Sequence, residues 1–396
     1  MRPLKQIDCF KVNMKFWKFL AIWPSSNINP YYRYYQIFFT AFILLNNVLA
    51  TVNFIFIPRQ LDMFIDEMIF YFMELAVTSK FFTFLFMHGK IVKILNMLES
   101  DMFQPKTENG LKIIDKAKTF NVRYFKIVAS VSAVAHLTHV IPPILLHFIL
   151  HAKLDLPVSS FSFLSEDTIQ KLIYPLYEFQ VLYMHSQVLF NITIDTFIIG
   201  VIIYAIAQLD ILDDNLRRVA DKKPKVTQAN DFIHRMEKDD SIAKLNDSIV
   251  HYDVLGQFCD LVQDVFSIIL FVQFSVASCI ICVVLFRFTL PAPWQYFIFL
   301  GSYMFIMIIQ ILVPSWFGTR IQDKSQLLSQ AVYDCDWTAE THYFKSSLRL
   351  FVERANKPLS ITAGKMFPLS LTTFTSVINS SYSFFTLLRH MQSRQN

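Results

Sequence analysis

The stretch YYQIFFTAFILLNNVLATVNFIFI, residues 34–57, contains no Asp, Glu, Lys or Arg. The hydrocarbon core of a bilayer is about 30 Å thick and offers the backbone no water, so a chain crosses it as a helix of roughly 20 apolar residues that satisfies its own N–H and C=O groups. At about 1.5 Å per residue this stretch is long enough to cross once. Working outward from it, six more segments have the same character: 63–87, interrupted by Glu74 and Lys80; 127–151; 176–207, interrupted by Asp195; 265–286; 293–317; and 366–388. The expected fold class is therefore all-α, a polytopic membrane protein with seven transmembrane helices.

Composition agrees. The 396 residues are 54% hydrophobic and only 17% charged, with 41 Phe, too apolar for an ordinary soluble domain of this length. A net charge of +5 without a dense basic run gives no nucleic-acid groove, so no nucleic-acid partner is expected. Cys9, Cys259, Cys279, Cys282 and Cys335 have neither zinc spacing nor the pattern of a disulfide framework, and Cys279 and Cys282 read as packing residues. His147 and His151, four apart, could share a metal but lack a third ligand nearby, so no metal site is expected. No removable signal peptide is read at the N-terminus. Seven glycines leave little for a phosphate loop, and no nucleophile–base constellation is present; neither an enzyme nor a cofactor is expected.

Lys and Arg are retained on the cytoplasmic side of a membrane. With the N-terminus inside, the cytoplasmic segments hold six, eight, eight and seven of them in turn, against six outside (Arg59, Lys153, Lys171, Arg287, Arg389, Arg394). This predicts a cytoplasmic N-terminus and an extracellular C-terminus, the reverse of a G-protein-coupled receptor. The sequons at Asn191, Asn246 and Asn379 then lie in a span or on the inner side, and none is a glycan site.

The inner connections are patterned. Leu209, Leu212, Leu216 and Val219 recur at helical spacing after the fourth span, as do Ile242, Leu245, Ile249 and Tyr252 before the fifth. Phe344, Leu348, Phe351 and Ala355 form another stripe, stopped at Lys357-Pro358. Apolar stripes outside the membrane must be buried, which predicts a cytoplasmic helical bundle, shared between subunits. Residues 221–231, with Pro224, read as a polar loop.

The stretch from Ala331 to Arg389 resembles the C-terminal signature of insect odorant receptors. Tyr333, Trp337, Pro358-Leu359, Ala363-Gly364-Lys365, Phe367, Leu369-Ser370-Leu371, Phe374 and Ser381-Tyr382-Ser383 carry the resemblance, with Tyr333, Trp337 and Tyr382 as its anchor and motif positions. The resemblance implies a ligand-gated, non-selective cation channel in which four helical subunits surround a pore lined by the last span. It also implies an odorant-binding subunit that assembles with a co-receptor subunit, in the plasma membrane of olfactory sensory neurons, with membrane lipid around it and monovalent and divalent cations passing through. The implied organisation is a cytoplasmic segment 1–33, six spans with an outer-half pocket over 34–317, anchor helices over 318–365, the pore helix 366–389 and an extracellular tail 390–396.

Within the last span, Thr372, Thr373, Thr375, Ser376, Asn379, Ser380, Ser381, Ser383 and Thr386 serve either close helix packing or a water-filled path. The family frame implies Leu387 at a hydrophobic gate and His390 at the outer mouth. Arg389 there would oppose cations if it faced the axis, so either it points away or co-receptor subunits dominate selectivity. A small volatile organic ligand is expected in an outer pocket enclosed by the second, third, fourth and sixth spans. The candidates are Tyr71, Met73 and Glu74, then His139, then Tyr183 and Gln187, then Tyr303 and Met307, with Tyr303 foremost.

Charges in the bilayer need partners. Glu74 is expected either to pair with His139 or to make a structural hydrogen bond, Lys80 to snorkel or face the inner bundle, and Asp195 to make an interhelical contact. A gustatory-type channel is the nearest alternative, although this chain has Ser381-Tyr382-Ser383 where that class usually has a Thr-Tyr pair. A transporter is the alternative from another class, and the internal repeat it would carry is not found.

Overall fold

The computed structural model describes residues 5–23, 30–57, 61–151, 153–154, 156–220, 231–291 and 294–395. A short N-terminal helix, α1 (Lys11–Phe19), precedes α2 (Pro30–Phe56) and α3 (Leu61–Phe86); α4 (His88–Leu98) then leads to α5 (Glu108–Leu150). Next come α6 (Glu166–Lys171), α7 (Ile173–Arg217), α8 (Asp231–Arg287), α9 (Trp294–Asp334), α10 (His342–Ala355) and α11 (Leu371–Gln395). Among the described residues, α2, α3, α5, α7, α8 and α9 are long and apolar enough to cross a membrane. α11 has the length, but its hydroxyl and amide side chains lower its hydropathy. Of the loop expected at 221–231, residues 221–230 lie outside the described residues and Asp231 opens α8.

Four helices run far past the bilayer. α5, α7, α8 and α9 hold 43, 45, 57 and 41 residues, and 57 residues is roughly 85 Å of helix. Their extensions carry the stripes read from the sequence: Leu209, Leu212, Leu216, Val219, Leu245 and Tyr252 are buried. α10 starts at Thr341, whose hydroxyl accepts the Phe344 N–H (3.2 Å), and it buries Phe344, Leu348, Phe351 and Ala355. Phe351 packs edge-on against Tyr252 of α8 at 5.3 Å. These stripes are thus covered within one chain.

α7 is the central helix, with nearly every residue from Phe190 to Leu212 buried. The N-terminal segment is wedged against it. Phe10 and Trp17 are fully buried, and Asn13 donates to the Thr193 carbonyl (2.7 Å) and Thr196 Oγ1 (2.9 Å). Below the membrane a buried polar chain joins four segments. His251 Nε2 donates to Gln208 Oε1 (3.0 Å), and the Gln208 amide (3.0 Å) and the Gln6 amide (2.8 Å) both donate to the Phe103 carbonyl.

The last span departs from the expected 366–388. Residues Thr362–Ala363 pair antiparallel with Phe367–Pro368, so the chain turns back before the helix starts. Ser370 then caps it, its Oγ accepting the Thr373 N–H at 3.1 Å, and α11 begins at Leu371. It continues to Gln395, so residues 390–395, expected as a tail, are helical. Two glycines make room for this turn. Gly364 has φ +61°, and a Cβ on Gly318 of α9 would fall 2.3 Å from the Leu369 carbonyl oxygen.

Candidate functional site

The expected ligand residues divide into two groups. One lies between α3, α5 and α9. His139 stacks on Phe299 (centroids 5.6 Å, interplanar angle 27°) and stands 6.3 Å from Phe70 of α3. Tyr303 stacks on the same Phe299 at 5.9 Å, its buried hydroxyl has no hydrogen-bond partner among the described residues, and Met307, one turn on, is buried. Phe299, Tyr303 and Met307 share one face of α9, which is why one helix presents all three. The sequence reading missed Phe299; a Phe four residues before Tyr303 at helical spacing is the signal that would have found it.

The other group faces α2. The Tyr71 ring stacks on Phe54 (5.0 Å, 14°), with its hydroxyl 3.4 Å from Thr51 Oγ1. Glu74 does not pair with His139. It accepts the Tyr183 hydroxyl at 2.7 Å, whereas His139 Nε2 lies 2.9 Å from the Pro157 carbonyl oxygen. Phe70 and Glu74 are four residues apart on one side of α3, Phe70 meeting α5 at His139 and Glu74 meeting α7 at Tyr183. Tyr183 separates two small cavities of about 10 and 20 Å³; Gln187 lines the first. Each has the room of about one water. Met73 packs, partly buried, against the main core.

Beneath these cavities lies an intramembrane polar cluster. Lys80 Nζ donates to Asp195 Oδ1 (2.6 Å) and Asn191 Oδ1 (2.7 Å), and the Gln310 amide donates to Asp195 Oδ2 (3.0 Å). The Gln310 carbonyl accepts from Gln273 Nε2 (3.0 Å), so α3, α7, α9 and α8 are joined in one chain of bonds. Lys80 is fully buried, so it does not snorkel, and Asp195 makes the interhelical contact expected of it. His147 lies 3.0 Å from the Tyr174 hydroxyl, and no cluster of three metal-ligating side chains occurs among the described residues.

α11 has two unlike faces. Phe374, Val377, Ile378 and Phe385 pack on the core, and buried Ser381 meets Ser278 of α8, Oγ to Oγ, at 2.9 Å. At roughly 100° per residue, Thr372, Ser376, Asn379, Ser383, Thr386 and His390 project from the opposite side. All six are exposed, and Leu387, 55% exposed, borders this stripe. Arg389 lies about a quarter-turn from its centre. Of the motif aromatics, Tyr333 and Tyr382 are exposed and Trp337 packs against the core.

Seven membrane-length helices, a buried polar cluster among them and a last helix with a polar outward stripe define an all-α polytopic membrane protein. The family model described as 7tm Odorant receptor matches residues 60–382, most of the chain, and the chain belongs to that family. Odorant receptor 10 of Aedes albopictus is 32% identical over 123 residues, 31% of this chain and 33% of that protein. Putative odorant receptor 85d of Drosophila melanogaster is 29% identical over 147 residues, 37% of this chain and 36% of that one. The match thus spans only about a third of these relatives' length. The solved structure of the olfactory receptor OR5 from the insect Machilis hrabei, in complex with eugenol, superposes with a TM-score of 0.80. It covers 98% of this chain and 100% of that one at 13% identity, which establishes a shared fold.

Proposed function

We propose that the chain is an odorant-binding subunit that opens a non-selective cation channel together with a co-receptor subunit, in the plasma membrane of olfactory sensory neurons, with its N-terminus in the cytoplasm. The observation that carries this reading is the construction of α11. A helix against lipid has no use for a continuous stripe of Thr, Ser, Asn and His on the side away from its own protomer. A helix lining a water-filled path shared with neighbouring subunits does. The stripe hydroxyls bond within the helix, Ser376 and Ser383 each to the carbonyl four residues back at 2.9 Å, which leaves their lone pairs toward the path. Leu387 beside the stripe supplies an apolar ring that dewets when the subunits close, and His390 is the polar mouth outside it. Tyr333, Trp337 and Tyr382 belong to the surfaces where subunits meet.

The ligand, a small volatile organic molecule, occupies the aromatic slot between α3, α5 and α9. Phe299 and His139 supply stacking surface, Met307 the apolar floor and the unpartnered Tyr303 hydroxyl a hydrogen bond. The test is whole-cell current from cells expressing the chain with and without an insect co-receptor under a panel of volatiles. Inward current that requires both chains, and that Tyr303→Ala reduces at least tenfold in potency at unchanged surface level, is the expected result. Current from the chain alone would refute the co-receptor requirement, and silence of the surface-expressed pair across the panel would refute the channel reading.

A further inference from the structure

The face that α3 and α7 turn toward α2 is distinct from the aromatic slot and has its own chemistry. Glu74 is 6% exposed, forms no ion pair among the described residues, and its one hydrogen bond comes from the Tyr183 hydroxyl. An uncompensated carboxyl inside a membrane protein is costly, and this one borders the 20 Å³ cavity together with Asn46, Ala50 and Gln180. The polar groups around it are already engaged. Asn46 Nδ2 donates to the Phe42 carbonyl (2.9 Å) and Gln180 Nε2 to the Ser159 carbonyl (2.8 Å), while Gln180 Oε1 accepts the Val158 N–H (3.0 Å). The carboxyl is the ionisable group of this set, and only its Oε1 is bonded among the described residues. Across Tyr183 the 10 Å³ cavity is lined by Ile43, Val77, Phe81 and Phe190 together with Thr78, Ser186 and Gln187, and the four apolar side chains offer a surface for a hydrocarbon chain.

We infer that this cleft is a second small-molecule site and that it takes a volatile aliphatic alcohol, hydroxyl against Glu74 and chain along Ile43, Val77 and Phe190. An alcohol both donates and accepts, so it satisfies the carboxyl whether or not that group is protonated. A ketone only accepts and an alkane does neither. Both cavities hold only a water-sized volume, so the site fills by displacement of a wall, and α2 is the wall least held. It leans on α3 and touches α7 through Phe39 against Phe190 (6.1 Å) and Phe42 against Phe179 (5.5 Å). Its other side is exposed, with Ile37, Phe38, Leu45 and Val48 all at least half bare.

The inference takes the chain to be a receptor of volatiles but does not require that the alcohol open a channel, so its test reads binding. The purified full chain in detergent is heated with 1-heptanol, 2-heptanone or heptane at matched free concentration, and the shift in melting midpoint is recorded. 1-Heptanol should give the largest shift, with a half-maximal concentration that rises roughly tenfold in Glu74→Leu, which keeps the bulk of the side chain and removes its hydrogen-bonding head. Should Glu74→Leu not fold, Ala50→Leu fills the head cavity while keeping the carboxyl and Tyr183, and it should abolish the alcohol shift. An alcohol shift no larger than the ketone's, or one unchanged in whichever variant folds, overturns the inference. Odorant-evoked currents with no alcohol-selective shift would sink this site and leave the channel reading intact; the shift without any current would do the reverse.

Discussion

Replacing Lys80 by Met keeps the length of the side chain and removes its charge, leaving Asp195 with the Gln310 amide as its remaining side-chain partner in the cluster. Breaking a buried ion pair from one side costs roughly 3–5 kcal/mol, because the remaining charge is stranded in low dielectric. The two sides are not equal here: the Lys80 side chain is 1% exposed and that of Asp195 20%. Stranding the aspartate should therefore cost about 3 kcal/mol, the low end of the range, and stranding the lysine in Asp195→Asn should cost more, about 4 kcal/mol. The double variant Lys80→Met/Asp195→Asn carries no charge in the cluster, and it should return to within about 1 kcal/mol of the parent, since a neutral replacement of a buried pair is often without penalty. Thermal unfolding of the three purified variants in detergent, followed by tryptophan fluorescence, gives the order directly. A double variant as unstable as the two singles combined would show that the charges do not stabilise each other and refute the reasoning; so would a harmless Lys80→Met.

Three further perturbations test other parts of the molecule. Gly318→Ala places a Cβ 2.3 Å from the Leu369 carbonyl oxygen, so the turn into α11 must move; a loss of about 2 kcal/mol is expected, and an unchanged melting midpoint would show that the contact is slack. His251 donates as a neutral imidazole to Gln208, and burial, helped by the nearby Lys106, pushes its pKa down to about 4. Because the unfolded chain takes up that proton near pH 6.5, this contribution is whole above pH 6.5 and falls away toward pH 4, by an amount on the order of 3 kcal/mol. Melting midpoints from pH 7 to pH 4.5 should drop less in His251→Gln than in the parent, and parallel curves would refute the assignment. Under the proposed function, Leu387→Ala should raise the unstimulated current of the assembled channel severalfold by weakening a dewetted ring, and an unaltered resting current would place the gate elsewhere.

Much of the fold was legible because the bilayer is a demanding solvent. Charge-free runs of about 20 residues mark spans whatever their packing, and stripes such as Leu209, Leu212, Leu216 and Val219 mark helices that leave the membrane still needing cover. The start of the last span was not legible in the same way, since hydropathy alone does not distinguish Met366–Ser370 in a hairpin from the same residues in a helix. Local signals existed, Gly364 for a left-handed turn and Ser370 for an N-cap, and they determine the boundary once weighed against the apolar count. The candidate site was legible as residue types at an approximate depth but not as directions. Glu74 and His139 share that depth, yet the helical phase of α3 turns the carboxyl to Tyr183, and only packing fixes that phase. Lys80 and Asp195 show the converse. Two opposite charges in two spans must find partners, and with so few charges at that depth their pairing is nearly forced.

How α11 is held bears on how a ligand could reach it. The hairpin before it is fastened to α8, where Gly364 N–H donates to the Ser267 carbonyl (2.8 Å) and Lys365 N–H to the Ser267 hydroxyl (3.1 Å). Its first turn is fastened to α9, through Leu371 N–H on Thr319 Oγ1 (2.9 Å) and the contact of Leu369 with Gly318. Midway along, Ser381 is tied to Ser278 of α8. The base of the helix thus has one attachment on each of two helices, and those two are joined in the membrane by Gln273 and Gln310, the latter bonded to the Lys80–Asp195 cluster. Under the proposed function, a ligand that wedges the aromatic slot pushes on α9 at Phe299 and Tyr303. On that reading, a displacement of α9 relative to α8 is then the motion that α11 can sense, because moving both together would carry the hairpin and the helix along unchanged. The Ser278–Ser381 contact acts as the pivot and the Gly318–Leu369 contact as the point of application, so Gly318→Ala should alter ligand efficacy as well as stability, whereas a change at Asn379 should alter conduction alone.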